Sequence, residues 1–135
     1  RYANGGHNPP VVMRRDGACE VMRGVSGPAL GALDGVDYCS FETCLAPGDL
    51  LFLYTDGVTE AMNEAGELYG ETRMLAILGA CPMGANAEAV IAAIMDDLER
   101  HVGAAAQSDD ITILALRYLG PQKRMKQTEQ EEEES

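Results

Sequence analysis

Basic residues are scarce in this chain. Ten lysines and arginines stand against 22 aspartates and glutamates, for a net charge of −12. That balance argues against non-specific nucleic-acid binding, which needs a basic surface. It fits a protein that meets cations or basic partners. Long apolar runs are missing too: none approaches the roughly 18 residues that cross a bilayer. No signal peptide opens the chain, which begins Arg1-Tyr2-Ala3-Asn4. Cys19, Cys39, Cys44 and Cys81 include no C-x-x-C pair, which disfavours a structural zinc site. Cys39 and Cys44 would face opposite sides of one strand. All four read as reduced thiols, and the chain is expected in the cytoplasm.

What is present is an ordinary globular composition, 46% hydrophobic and 24% charged over 135 residues, enough for one domain. Residues 11–15 read as a strand, Asp16-Gly17 as a hairpin turn and residues 19–22 as the returning strand. Residues 24–35 are glycine-rich and should form a loop. Residues 38–44 alternate at period two, as a half-buried strand does. A turn at residues 46–49 leads into the apolar run 50–55, a central strand. Helical signals come next. Residues 71–78 are amphipathic. Asn86 is an N-cap for a helix carrying Val90, Ile91, Ile94, Met95, Leu98 and Val102 on one stripe, with Gly103 as its C-terminal cap. Residues 111–118 make the last strand. Strands grouped apart from helices predict an α+β layered fold. Residues 121–135 are polar and end in a glutamate run, and should be a disordered charged tail.

Two acidic residues stand at strand ends. Asp56 closes the run Leu50 to Thr55, and Asp109 precedes Ile111. Carboxylates at the rim of a rigid sheet can hold a hard divalent cation, which prefers oxygen ligands. Gly57 frees the backbone to turn. Glu60 could approach the same ion or cap the next element. Asp110 adjoins Asp109, and on an extended chain only one of the two would face an ion. His7, in the segment Ala3 to Pro10, could bind metal or phosphate. The plain alternative is that these are ordinary turn and cap residues. His101, near a helix end, reads as a surface residue that complements the helix dipole.

Three segments occur in order: Ala3-Asn4-Gly5-Gly6-His7-Asn8-Pro9-Pro10, Leu53-Tyr54-Thr55-Asp56-Gly57-Val58-Thr59-Glu60-Ala61 and Ser108-Asp109-Asp110-Ile111-Thr112. Glu67-Leu68-Tyr69-Gly70 and Arg73 come after the second. Together they resemble the SpoIIE/RsbU branch of the PPM phosphatases, also called protein phosphatase 2C, over Arg1 to about Tyr118. The resemblance implies two packed antiparallel β-sheets flanked by α-helices. It implies two Mn²⁺ or Mg²⁺ ions on aspartates, with a metal-bridging water attacking phosphoserine or phosphothreonine. Asp56 and Asp109 match two metal aspartates of the family, and Asp110 a variable neighbour. Gly57 belongs to the strand-end turn and is a candidate backbone ligand. Glu60 matches the position of a weaker third metal. His7 stands where other branches carry an acidic ligand. The substrate would be a phosphoprotein such as an anti-sigma-factor antagonist, in partner-switching or stress signalling.

One family segment, Gly-Asp-x-x-Gly-His-Gly or a near variant, does not occur. Its aspartate bridges both metals. Residues 1–120 are therefore expected to be the C-terminal portion of such a domain, with its N-terminal strands and helices missing. Metal binding by this chain alone should be weak or absent, and its activity slight. Exposed sheet edges could drive homo-oligomerisation. The competing reading is a truncated or degenerate phosphatase fold kept as a non-catalytic binding or dimerising module. A haloacid-dehalogenase-type phosphatase, suggested by the string at residues 54–58, is rejected: it needs an aspartate where Tyr54 stands.

Overall fold

The computed structural model describes residues 8–23, 43–105 and 110–121. Within them the chain runs β1 (Val11–Met13), β2 (Cys19–Val21), β3 (Leu50–Tyr54), α1 (Asp56–Thr59), α2 (Glu71–Ala80), α3 (Ala87–Val102) and β4 (Ile113–Arg117). The strands form one antiparallel sheet in the order β2-β1-β3-β4. This is an α+β fold, and the described residues supply one sheet with its helices. The expected strand at 38–44, the loop at 24–35 and the charged tail lie wholly or largely outside the described residues. No helix among the described residues is long and apolar enough to cross a membrane.

β3 lies in the middle because its sequence is apolar on both faces. Phe52 pairs with Val11 on one side and Ala115 on the other. Leu50, Phe52 and Tyr54 point to one face, and α2 and α3 cover it. Met74 and Leu78 of α2 and Val90, Ile94 and Leu98 of α3 complete that core, with Val58, Ala61 and Tyr69. α3 begins where the sequence predicts: the Asn86 side chain accepts from Ala89 N at 2.8 Å. α2 begins after Gly70, whose φ of 83° is one that glycine adopts without strain. The opposite sheet face carries Leu51, Leu53, Leu114 and Leu116. Leu114 and Leu116 are half-exposed, whereas Val12, paired with Leu51 on the same face, is buried.

The strands are shorter than the sequence predicts. β1 stops at Met13 because the Asp16-Gly17 turn draws Arg14 into its own bonds. Arg14 N donates to Ala18 O at 2.7 Å, and Gly17 N donates to Arg14 O at 2.9 Å. At the start of β3, Asp49 is only 2% exposed. Its carboxylate accepts from Ala46 N at 2.8 Å, Arg15 N at 2.9 Å and Arg14 Nη1 at 2.9 Å. Burial alone pushes this carboxyl up. The Ala46 N–H, the Arg14 guanidinium and the Arg15 N–H outweigh burial and hold it below the usual carboxylate range. Arg14 also grips Glu20 at 2.6 Å. This cluster ties the β1–β2 hairpin to the turn before β3.

Candidate functional site

The far end of β3 is built differently. Thr55 is extended, with φ −102° and ψ 168°, and precedes α1 without capping it by its side chain. Its hydroxyl is turned to the neighbouring strand instead. Thr112 N donates to Thr55 Oγ1 at 3.1 Å, and Thr55 N donates to Thr112 O at 3.1 Å. Oγ1 also lies 3.3 Å from Asp110 O and 3.5 Å from Thr112 O, and its single proton serves these two acceptors. β3 and the approach to β4 are thereby laced together one residue beyond the regular ladder.

α1 begins at once, with Asp56 exposed in its only turn and Gly57 buried. The sequence predicts a sharp turn at Gly57. The structure gives a helical turn, and Gly57 is not among the glycines of positive φ. The demand on this glycine is spatial. A Cβ built on it would overlap the Asp110 carbonyl oxygen and stand 2.8 Å from Asp110 C and 3.3 Å from Ile111 Cα. Backbone meets backbone here, and no side chain fits between.

Gly57, the residue after Asp56, is thus brought against the Asp110 main chain. Asp110 itself is exposed. Glu60 is exposed and closes α1 through its backbone, donating its N–H to Asp56 O at 2.8 Å. Asp109 and His7 lie outside the described residues. The donors at this junction are oxygens, which suits Mg²⁺ or Mn²⁺ rather than a soft metal. Among the described residues no three His, Cys, Asp or Glu side chains converge closely enough to hold an ion. Beneath Asp56, Tyr54 is buried and stacks on Phe52 with ring centroids 6.0 Å apart. Burial and then Glu71 push the Tyr54 hydroxyl up.

Behind α1 lies a group that sequence reasoning missed. Asp97 on α3 is 7% exposed. It accepts from Tyr69 Oη at 2.8 Å and from Arg73 Nε at 2.9 Å. Arg73 Nη1 reaches His101 Nδ1 at 3.0 Å, and His101 Nε2 reaches Glu67 O at 2.9 Å. An arginine only donates and a carbonyl only accepts, which fixes His101 as the tautomer with its proton on Nε2. His101 is therefore a bridge between α2 and the loop before it, and not merely a surface complement to the helix dipole. The Arg73 guanidinium holds the Asp97 carboxyl low against the opposing effect of burial, with help from Tyr69. Burial and the bond to Asp97 push the Tyr69 hydroxyl well above its ordinary value. A signal for Asp97 existed: it falls seven residues after Val90 and three after Ile94, on the apolar stripe of α3.

Comparison with known proteins agrees with this architecture. The family model described as Stage II sporulation protein E (SpoIIE) matches residues 1–119. The chain is 31% identical over 115 residues to Protein IcfG of Synechocystis sp., a match covering 85% of this chain and 18% of that protein. It is 31% identical over 116 residues to the phosphoserine phosphatase RsbU of Bacillus subtilis, covering 86% of this chain and 34% of that protein. The chain thus spans about a third or less of these relatives. Among solved structures, the SiaA-PP2C domain of Pseudomonas aeruginosa superposes with a TM-score of 0.64 at 27% identity. That match covers 84% of this chain and 44% of the other. A family match over nearly the whole described region, on an α+β scaffold shared with a PP2C domain, has one reading: this chain belongs to the SpoIIE family, within the SpoIIE/RsbU branch of the PP2C-type phosphatases.

Proposed function

We propose that this chain supplies part of the centre of a metal-dependent serine/threonine phosphoprotein phosphatase. The observation that carries the reading is the Gly57–Asp110 contact. It holds the backbone one residue after the exposed Asp56 against Asp110, the neighbour of Asp109 in the sequence. Asp56 and Asp109 would hold Mn²⁺ or Mg²⁺, with Glu60, Asp110 and His7 as further candidates around them. Such an ion supplies a Lewis acid that neutralises phosphoryl charge and acidifies water. The chain's own part is to hold two strand ends at fixed separation, with Asp56 and Asp110 left exposed. The reaction is hydrolysis of a phosphate monoester on serine or threonine. The substrate class follows the name of the Bacillus relative, a phosphoserine phosphatase. An anti-sigma-factor antagonist in a partner-switching pathway is the substrate this reading favours.

The alternative is a non-catalytic binding or dimerising module. What favours it is that the given sequence carries no Gly-Asp-x-x-Gly-His-Gly segment, whose aspartate would bridge the metals. The two readings separate by experiment. Mn²⁺ should broaden the backbone amide resonances of Asp56, Gly57 and Asp110, and Asp56→Asn should abolish that broadening. The chain alone should hydrolyse a phosphoserine peptide little or not at all. Broadening that is uniform along the chain, or that Asp56→Asn leaves unchanged, would sink the phosphatase reading in favour of the module.

A further inference from the structure

α1 is a single turn of four residues, too short to hold its shape unaided. One side of it is fixed by the Gly57–Asp110 contact. The other side is fixed by the next segment, which doubles back on itself. Met62 and Leu68 form an isolated antiparallel bridge. Asn63 Oδ1 accepts from Ala65 N at 3.0 Å and Glu67 N at 2.9 Å. Tyr69 N then donates to Ala61 O at 2.7 Å, and Gly70 N to Thr59 O at 2.9 Å. The last carbonyl of α1 is therefore held by the N-cap residue of α2.

That returning segment is pinned to the helical layer at two points, and both belong to the Asp97 cluster. Tyr69 is 4% exposed and is bonded to Asp97. Glu67 O is bonded to His101. Arg73 joins the two pins, and its guanidinium carbon also lies 5.2 Å from the Tyr69 ring centroid. The His101 ring meets Tyr69 edge-on at 5.5 Å. A charged pair at the core boundary is a poor device for stability alone, since desolvation offsets much of its attraction. It is a good device for fixing orientation, because its bonds are directional.

We propose that Asp97, Arg73, Tyr69 and His101 are positioning residues that set the Asp56 turn from behind. The proposal rests on the phosphatase reading for its purpose, but its mechanical content can be read without metal. Asp97→Asn should speed hydrogen exchange at the Glu60, Tyr69 and Gly70 amides by about tenfold beyond any change at Phe52, the loss expected when a charge-assisted bond is weakened. The Mn²⁺ concentration that half-broadens the Gly57 amide should rise several-fold in the same variant. Asp49→Asn, at a still more buried carboxylate before β3, should move all amides together and leave Mn²⁺ broadening unchanged. If Asp97→Asn does not fold, Tyr69→Phe removes one hydroxyl and should give the same local pattern at about threefold. Exchange that changes equally at Gly70 and Phe52 in both variants overturns the proposal. Mn²⁺ broadening spread uniformly over the unaltered chain, with the local exchange pattern intact, overturns the phosphatase reading and leaves the positioning role standing.

Discussion

Asp49 and Asp56 bracket the same strand and are treated in opposite ways. Asp49 is sealed, and its carboxylate is met by two backbone N–H groups and a guanidinium. Asp56 is left in solvent, while the backbone beneath it is pressed against Asp110. At the first end the side chain is committed and serves to join a hairpin to a turn. At the second the main chain is committed and the side chain is free for use. A buried carboxylate must be paired or it destabilises the fold. An exposed one on an immobile backbone can wait for a ligand at little cost. The contrast teaches which acidic residues at strand ends invite suspicion of chemistry: those whose position is fixed by something other than their own oxygens.

The contrast can be attacked from either side. Gly57→Val should have the largest effect, because a β-branched side chain cannot enter the Asp110 contact. A loss of about 4 kcal/mol in urea unfolding is expected, together with loss of the Mn²⁺ response. Asp49→Ala should cost about 3 kcal/mol by leaving buried donors unpaired, with the Mn²⁺ response intact. The same residue predicts an acid limb. Its folded pKa is lowered, so its contribution is full above the unfolded carboxyl value of about 4. That contribution is lost as pH falls through the lower folded value. Asp49→Ala should therefore flatten the stability profile in that range, which thermal melts in a series of acidic buffers would read. Asp56→Asn should be the mildest, within about 0.5 kcal/mol of the unaltered chain. If Asp56→Asn destabilises as much as Asp49→Ala, the two ends are alike and the contrast fails.

Sequence patterns carry the central strand, the last strand and α3 with its Asn86 cap, because each is written in local periodicity and end signals. α1 is not legible there. Asp56-Gly57-Val58-Thr59 pairs a glycine with two β-branched residues, a poor helix former, and only the Asp110 contact and the return through Gly70 impose the turn. Asp97 falls on the apolar stripe of α3 and His101 near its end, but what they pair with is not written there. Asp97 lies 28 residues from Tyr69 and 24 from Arg73, and His101 lies 28 from Arg73, distances that no local pattern reports. Asp49 looks like a turn residue, and its pairing with the Arg14-Arg15 segment is likewise non-local. Asp56 stands out for its place after an apolar run. The reason its place is fixed, a missing Cβ one residue on, emerges only from the packing of two chain segments.

The Gly57 contact also bears on how tolerant such a junction can be. Where a side chain spaces two strands, the gap drifts with each rotamer change, and substitution can tune it in small steps. Here the spacer is the peptide unit itself. The gap between the two strand ends has a hard lower stop and no adjustable part, so substitutions at position 57 can only push the ends apart. The junction behaves as a gauge block: it reproduces one dimension and admits no fine adjustment.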